Sequence, residues 1–490
     1  MGESVIKAPP GDTTGELPGA GSKGIVGVLA LAGIIAAVMQ TLVVPLLGQL
    51  PQLLHTSASN ASWVVTATLL AGAVATPVAG RFGDLYGKRR MLLISTVPLI
   101  AGSVLCAVAD SVVPMIVGRG LQGMGMGILP LGISALRDLL PAERLGPSIA
   151  MVSASLGIGS ALGLPVAAVV AQHANWHILF WGAGALSLLI AILIYVVVPD
   201  VPVVATGRFD GVGAVGLGVG LICLLLGISK GATWGWDSGS IVGLLVAAVA
   251  VLVLWAWWEL RTVDPMVDLR VARRPRVLLT NASSAVLGFG MYSASLIVPQ
   301  LLVLPKITGY GLGQSMLAMG LWMAPGGIIM MAVSPLGAKL SAARGPKVTL
   351  VAGALVLAAG YASSAVIMGS TWGLLVAVCI CNSGVALAYG AMPALIMSAV
   401  PLSETAAANS FNTLMRSIGA SFSAAIIGVV LAQLSTTLGG HSIPTENGFR
   451  VGLFIGCGVA LAAAAIAAFI PVRNVGTSKR STSSAAAVAA

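Results

Sequence analysis

Gly80-Arg-Phe-Gly-Asp-Leu-Tyr-Gly-Lys-Arg-Arg90 gathers one aspartate and four basic residues into eleven positions between two long apolar runs. Only 8% of the chain is charged, so this density is local and specific. A short charged segment between two apolar runs reads as a tight hairpin joining two membrane helices. A topology anchor would account for Arg81, Lys88, Arg89 and Arg90. It would not account for Asp84 followed three positions later by Gly87, at the point where the chain must turn.

Outward from the hairpin, the composition excludes an ordinary soluble protein. The 490 residues are 57% hydrophobic, and a soluble chain carries about a quarter charged residues. The net charge of +10 does not imply nucleic acid, because the basic residues form short clusters between apolar stretches rather than a stripe. Those stretches are each long enough to span a bilayer as a helix, and fourteen are expected, the first at about 24–48 and the eighth at about 239–258. The fold class is an all-α integral membrane protein. The polar, Gly- and Pro-rich residues 1–23 read as a disordered tail, and the first helix, too long for the core of a cleaved signal, as a retained anchor. Cys106, Cys223, Cys379, Cys381 and Cys457 lie inside apolar runs and read as packing residues; no spacing implies a metal or any cofactor. No P-loop, G-x-S-x-G or H-E-x-x-H occurs, so the chain is not expected to be an enzyme. Gly309-Tyr-Gly-Leu-Gly313 reads as a turn.

Charge asymmetry orients the bundle. With the N-terminus in the cytoplasm, twenty of the 25 Lys and Arg residues fall on the cytoplasmic side. Lys230, Lys306 and Arg450 fall on the outer side, and Arg119 and Arg416 lie within spans. This asymmetry requires an even number of spans and places both termini in the cytoplasm. Trp234 and Trp236 then mark the outer interface, and Trp255, Trp257 and Trp258 the inner one. The hairpin also repeats: Thr76–Leu92 aligns without gaps on Ser334–Leu350, pairing Pro77 with Pro335, Arg81 with Lys339, Gly87 with Gly345 and Arg89 with Lys347. Two hairpins, after the second and tenth spans, define two six-helix halves, 24–198 and 277–470. Two inserted helices with their loops occupy 199–276, and a polar tail occupies 471–490.

The hairpin resembles the loop signature of the major facilitator superfamily, G-x-L-x-D-R-x-G-R/K-R/K-R/K. Gly80, Asp84, Gly87, Lys88, Arg89 and Arg90 match in register; Phe82 stands in the Leu position and Leu85 replaces the Arg. Six helices on each side of an inserted pair resemble the fourteen-helix drug:proton antiporter branch, over all but the tails. The resemblance implies two parallel halves with a binding site between them. It also implies alternating access driven by protons, a small organic substrate, a lipid bilayer as the surroundings and function as a monomer in the cell membrane. Transport of another small solute, or uniport or import without protons, is the alternative. Gly80, Arg81, Asp84, Gly87, Lys88 and Arg89 would form a conformational latch, since an acid at a helix end can bond a basic residue or a helix N-terminus.

Other elements of the resemblance are partial. The branch carries an aspartate in the first helix within a pattern like L-D-x-T-I-V; here Val38-Met-Gln-Thr-Leu-Val43 has Met39 in its place, and no Asp or Glu is expected at the centre of any span. Arg119 and Gln122 fit the fourth-helix motif R-x-x-Q-G-x-G. A mid-membrane arginine requires a partner, and Gln40 or backbone carbonyls are expected to supply it. Arg416 fits an R-x-I-G element, or snorkels to the interface. His177, in Asn175–Trp181, is either a proton site or a solvated loop histidine. Arg119, Gln122, His177 and Arg416 are thus the proton-coupling candidates. Gly159, Gly163 and Pro165 occupy the place of the antiporter signature G-P-x-x-G-G, and their small residues permit close helix packing. Gln40, Thr41, Asn281, Tyr292, Gln300, Asn382 and Tyr389 are candidates to line the cavity, and Met316, Met319, Met323 and Met330 share one helix face, as binding surface or as packing.

Overall fold

A computed structural model describes residues 19–46, 49–203, 205, 207–438 and 441–471. Fourteen helices in it are long and apolar enough to cross a membrane, as a lipid-exposed backbone requires. In chain order they are α1 (Gly19–Thr41), α2 (Trp63–Tyr86), α3 (Lys88–Ala107), α4 (Val112–Leu139), α5 (Ala142–His173), α6 (His177–Val197), α7 (Gly211–Trp234) and α8 (Gly239–Arg261). They continue as α9 (Pro275–Val303), α10 (Met316–Arg344), α11 (Pro346–Ile367), α12 (Thr371–Met397), α13 (Thr405–Gln433) and α14 (Glu446–Ala468). α4 passes through a 3-10 turn at Gly125–Gly127. Polar side chains start several helices by accepting from a first-turn N–H: Asp210, Ser238, Ser315, Ser370 and Thr445, which satisfies donors that the helix itself cannot.

The repeat read from the sequence is visible in the backbone. α2 gives way to α3 through Gly87 at φ 97° and ψ 131°, and α10 to α11 through Gly345 at φ 86° and ψ 154°. Only glycine adopts this region without strain, so both hairpins turn on the same residue for the same reason. Each half buries its own apolar core, one built from α1 to α6 and joined by Met397 and Ala406 of the other half, the second built from α9 to α14.

The halves meet along two seams. On one, α5 lies against α10, and a side chain on Gly157 would strike Met330 and the Gly327 carbonyl. On the other, α2 lies against α13, where Gly80 faces Ser410 and Ala406. The inserted α7 and α8 pack on each other, and α7 lies across α2 and α13 at once, covering this second seam. A third apolar cluster holds them there, joining Leu217, Leu221 and Leu225 of α7 to Ala73 of α2 and Leu414 of α13.

Four details depart from the sequence reading. α1 begins at Gly19, inside the tail expected to be disordered, whose residues 1–18 lie outside the described residues. Lys230 is not in a loop: it is buried in α7, donates to Ser62 Oγ at 2.7 Å and lies 4.5 Å from the centre of the Trp63 ring. Trp255 is buried in the third cluster rather than held at an interface, while Trp234, Trp236, Trp257 and Trp258 are exposed as a belt requires. A short antiparallel hairpin, β1 (Ser435–Leu438) with β2 (His441–Pro444), joins α13 to α14.

The glycine turns give a direct check on the repeat. Gly345→Val places a branched side chain at a glycine-only conformation with open space around it, so its cost is conformational, about 1–3 kcal/mol. Gly146→Ala, in α5 with equally open surroundings, removes a helix-weakening glycine. Thermal unfolding of the purified chain in detergent is expected to show a lower Tm for the first and an unchanged or higher Tm for the second.

Candidate functional site

At the end of the bundle that carries Arg81 and Lys88–Arg90, here the basic end, the sequence-predicted latch residues are brought together. Asp84, 5% exposed, reaches from the last turn of α2 to the first turn of α13. Its two oxygens accept the N–H groups of Ala406 at 3.0 Å and Ala407 at 2.8 Å. Helix N-termini carry unsatisfied donors and a partial positive charge, so the carboxylate meets a site suited to an anion. Gly80, one turn earlier, has no side chain to hold the helices apart. Lys88, in the first turn of α3, lies 3.8 Å from Asp84 and pairs with Asp138 of α4 at 2.6 Å. Arg89 instead turns outward to the Tyr195 carbonyl at 2.7 Å.

The contact between the halves at this end is wider than the motif. Arg137 of α4 donates to Thr405 Oγ1 at 2.8 Å and to the Val400 carbonyl at 3.2 Å. Ser134 donates to the Thr405 carbonyl, and Asn409 of α13 donates to Ser134 at 3.0 Å. Sequence reasoning missed Ser134, Asp138, Thr405 and Asn409, and read Arg137 only as a topology charge. The adjacent Arg137-Asp138 at the end of a span was the available signal. Arg81 is buried with an unpartnered Nε and lines a cavity of about 250 Å³ together with Asn281, Glu404, Phe411 and the loop 263–268.

Arg119 lies buried in α4 and bonds to neutral groups only. It donates to the Met39 carbonyl at 2.9 Å, to Gln122 Oε1 at 2.7 Å and to the Val64 carbonyl at 3.4 Å. The expected carbonyl partners are therefore present, but Gln40 is not among them: it is exposed and donates to the Met126 sulfur. Met39 sits in the last turn of α1, where carbonyls lack intrahelical partners. A cation there complements the negative helix end, so Arg119 caps α1 in the place where the branch pattern has an aspartate. Gln122 is held in turn by donating to Ser103 Oγ at 2.8 Å.

Arg416 is buried on α13. It lies 4.7 Å over the Tyr389 ring of α12 and donates to Asn412 and Thr413. Asn412 donates in turn to Asn281 Oδ1 and Ser284 Oγ, both at 2.8 Å. Asn281, Tyr389 and Arg416 thus belong to one network. The other cavity candidates are separate from it: Gln300 is exposed and Asn382 half-buried, each donating to a carbonyl of its own helix; Tyr292 is half-buried on α9. Thr41 donates to carbonyls of α1 and faces Gly163. Gly159 faces the Ile34 carbonyl, so the glycines of α5 receive α1 on this face while Pro165 lies against Gly320 of α10.

His177 is at the opposite end of the bundle, bonded to Asn175 and the Ala109 carbonyl, 3.8 Å from the exposed Asp110. It makes no contact with Arg119 or Arg416. The methionine stripe does not form one surface: Met319 is in a core, Met330 packs on Gly157 and only Met316 is exposed. Among the described residues, no group of three or more His, Cys, Asp or Glu could hold a metal ion.

Two repeated bundles joined at a charged hairpin are the architecture of a membrane transporter rather than of an enzyme. The profile of the Major Facilitator Superfamily matches residues 29–424, and the chain belongs to that family. It is 28% identical over 410 residues to an uncharacterised MFS-type transporter of Mycobacterium tuberculosis, covering 83% of this chain but 59% of the relative. The chain thus spans less than two thirds of that relative's length. It is 28% identical over 390 residues to the multidrug resistance protein Stp of the same organism, covering 77% and 70%. Multidrug resistance protein 3 of Bacillus subtilis is 25% identical over 429 residues, covering 85% and 81%. The fold is shared with the proton:xylose symporter XylE (TM-score 0.64, 16% identity, 93% and 97% covered) and with the human organic anion transporter MFSD10 (0.65, 13%, 92% and 100%).

The two N–H bonds to Asp84 predict a measurable gap. Hydrogen bonds to a charged group contribute about 1.5–3 kcal/mol, so Asp84→Asn is expected to weaken the contact by one such bond, roughly tenfold in the closed population. A Ser410→Cys reporter, buried against Gly80, is expected to react about tenfold faster with a water-soluble maleimide when Asp84→Asn is added. An unchanged labelling rate would rule out the carboxylate as the fastening group.

Proposed function

We propose that the chain is a secondary active transporter that exports drug-like organic compounds across the cytoplasmic membrane by proton antiport, working as a monomer by alternating access. The observation that carries this reading is the Asp84 carboxylate seated on the α13 N-terminus. It joins the two halves at one end only, and a bond across the seam that must break for the halves to part distinguishes two states. The positive-inside asymmetry supports assigning this basic end, and both termini, to the cytoplasm; the latch then closes the cytoplasmic side. The halves are taken as 24–198 and 277–470, with 199–276 inserted between them. Relatives named for multidrug resistance support export.

The electrostatics favour neutral amphipathic substrates over permanently cationic ones. Among the described residues neither Arg119 nor Arg416 has a carboxylate partner, so both charges stand uncancelled within the bundle. A field of that sign opposes a quaternary ammonium and admits an uncharged or weakly acidic molecule. Met39, in place of the branch aspartate, favours the second reading, a major facilitator transporter of another small solute or one that runs without proton antiport.

Expression in a pump-deficient host decides between these readings. Resistance is expected to rise more for neutral antibiotics than for quaternary dyes, and export is expected to collapse when the proton gradient is dissipated while ATP is maintained; export that persists would remove antiport. In the same assay Arg119→Ala is expected to cost more transport than Arg416→Ala. The former uncaps α1 and leaves Gln122 without its partner, whereas the latter loses a cation–π contact of about 1–2 kcal/mol and two side-chain bonds.

A further inference from the structure

Beyond the latch, one buried carboxylate is used by nothing described so far. The eighth span was expected to end at about 258, with Glu259 in or beside the loop that follows, but α8 continues to Arg261 and carries it into the last helical turn, where it is 1% exposed. One oxygen accepts the Val267 N–H at 3.3 Å; the other, Oε1, has no hydrogen-bond partner. It faces Asp210, which starts α7: Oδ1 accepts the Gly213 N–H at 2.9 Å and Oδ2 accepts the Trp258 indole N–H at 2.9 Å. Glu259 Oε1 and Asp210 Oδ2 crowd the same point, the one a side chain on Gly213 would occupy. The bare glycine is what lets the two acids face each other.

Among the described residues the nearest cation across the cavity is Arg81, and it makes no ion pair with either acid. Asp210 is the ionisable group that α7 presents to Glu259; α8 and the 262–268 loop present only indole and backbone N–H groups, and α2 and α13 contribute apolar side chains to the cluster alongside. Among the described residues no Lys, Arg or His pairs with either acid. The indole N–H of Trp255, one turn earlier on α8, is turned toward Glu259 as well. Two facing carboxylates in a low-dielectric site repel strongly unless a cation or a bound proton intervenes.

We propose that Glu259 and Asp210 form a proton-binding site in the inserted helix pair. The proton is taken from water onto Glu259 Oε1 and is donated in a hydrogen bond to Asp210 Oδ2; no other bond forms or breaks. Val267, whose N–H bonds Glu259, also lines the 250 Å³ cavity at the basic end, which leaves room for water beside the site. The position has a mechanical consequence. Met266 and Val267 pack with Leu217 of α7 and Leu414 of α13, and the loop they belong to shares the cavity with Arg81 and Glu404 beside the latch. Protonating Glu259 turns a charge-assisted bond to Val267 into a neutral one, about half as strong, and loosens the loop where it grips α13. Service of this site as the carrier in antiport rests on the reading above; proton binding itself does not.

The test therefore needs no substrate. Infrared difference spectra of the full chain in lipid, recorded between alkaline and acidic pH, are expected to show a buried protonated carboxyl band that Glu259→Gln abolishes. Asp210→Asn, which removes the facing charge, is expected to move the pH at which the band appears downward. Hydrogen exchange of the segment containing Val267 is expected to quicken at acidic pH, after correction for intrinsic rate, in the unaltered chain but not in Glu259→Gln. A difference spectrum identical in the unaltered chain and Glu259→Gln overturns the site. A lost band with unaltered exchange in the Val267 segment overturns its hold on the loop. Failure of proton-driven export leaves both measurements standing and removes only the carrier role.

Discussion

A carboxylate on a helix N-terminus is a bond that can be both firm and reversible, and the arrangement of the two halves at the basic end follows from it. The donors are backbone N–H groups that α13 cannot satisfy internally, so they are present whenever the helix is. The acceptor is fixed by its place in the last turn of α2. Bonds of this kind amount to about 3 kcal/mol together, roughly a hundredfold bias between joined and parted ends. That is enough to hold a closed end and small enough for binding energy elsewhere to reverse. Gly80 and Gly87 serve this one contact in different ways: the first lets α2 approach α13, and the second turns the chain so that Lys88 arrives beside the acid.

Arg119 and Arg416, buried well inside their spans, show how a membrane protein can hold cations without acids. A bare guanidinium within a bilayer is costly. Arg119 meets that cost with the free carbonyls at the end of α1, a partial negative charge built from backbone rather than from a side chain. Arg416 meets it with the face of Tyr389 and two neutral oxygens. Neither solution cancels the charge. An ion pair in these places would have been neutral.

The sequence carried the architecture almost completely, because spans, charge clusters and turns are local signals. The equivalence of Gly87 and Gly345 is the strongest case: a gapless alignment of two hairpins foretold two glycines in the same rare conformation. What it did not carry were partnerships between distant segments. Nothing local in Met39 says that its carbonyl caps an arginine eighty positions away, and Gln40, its polar neighbour, was the more obvious guess. His177 and the methionine stripe were left between two readings for a related reason: residue type and helical spacing define a face, but only the packed bundle says what that face meets. Glu259 was lost to a boundary, since three more residues of helix separate an exposed loop acid from a buried one.

The inserted pair ties these strands together. The two halves repeat each other's hairpin, yet the repeat is chemically broken, because Ala342 stands where Asp84 does and α11 begins with Pro346 where α3 begins with Lys88. Only one of the two equivalent turns can therefore fasten the halves, and it does so on the α2–α13 seam. That is the seam which α7 covers, and the loop leaving α8 runs beside the same helix start that Asp84 holds. A symmetric twelve-helix body would give no reason to place extra helices on one seam rather than the other. The asymmetry of the Asp84 contact supplies the reason proposed here: a helix pair that binds a proton would bear on the joining of the halves only where a side-chain bond fastens them.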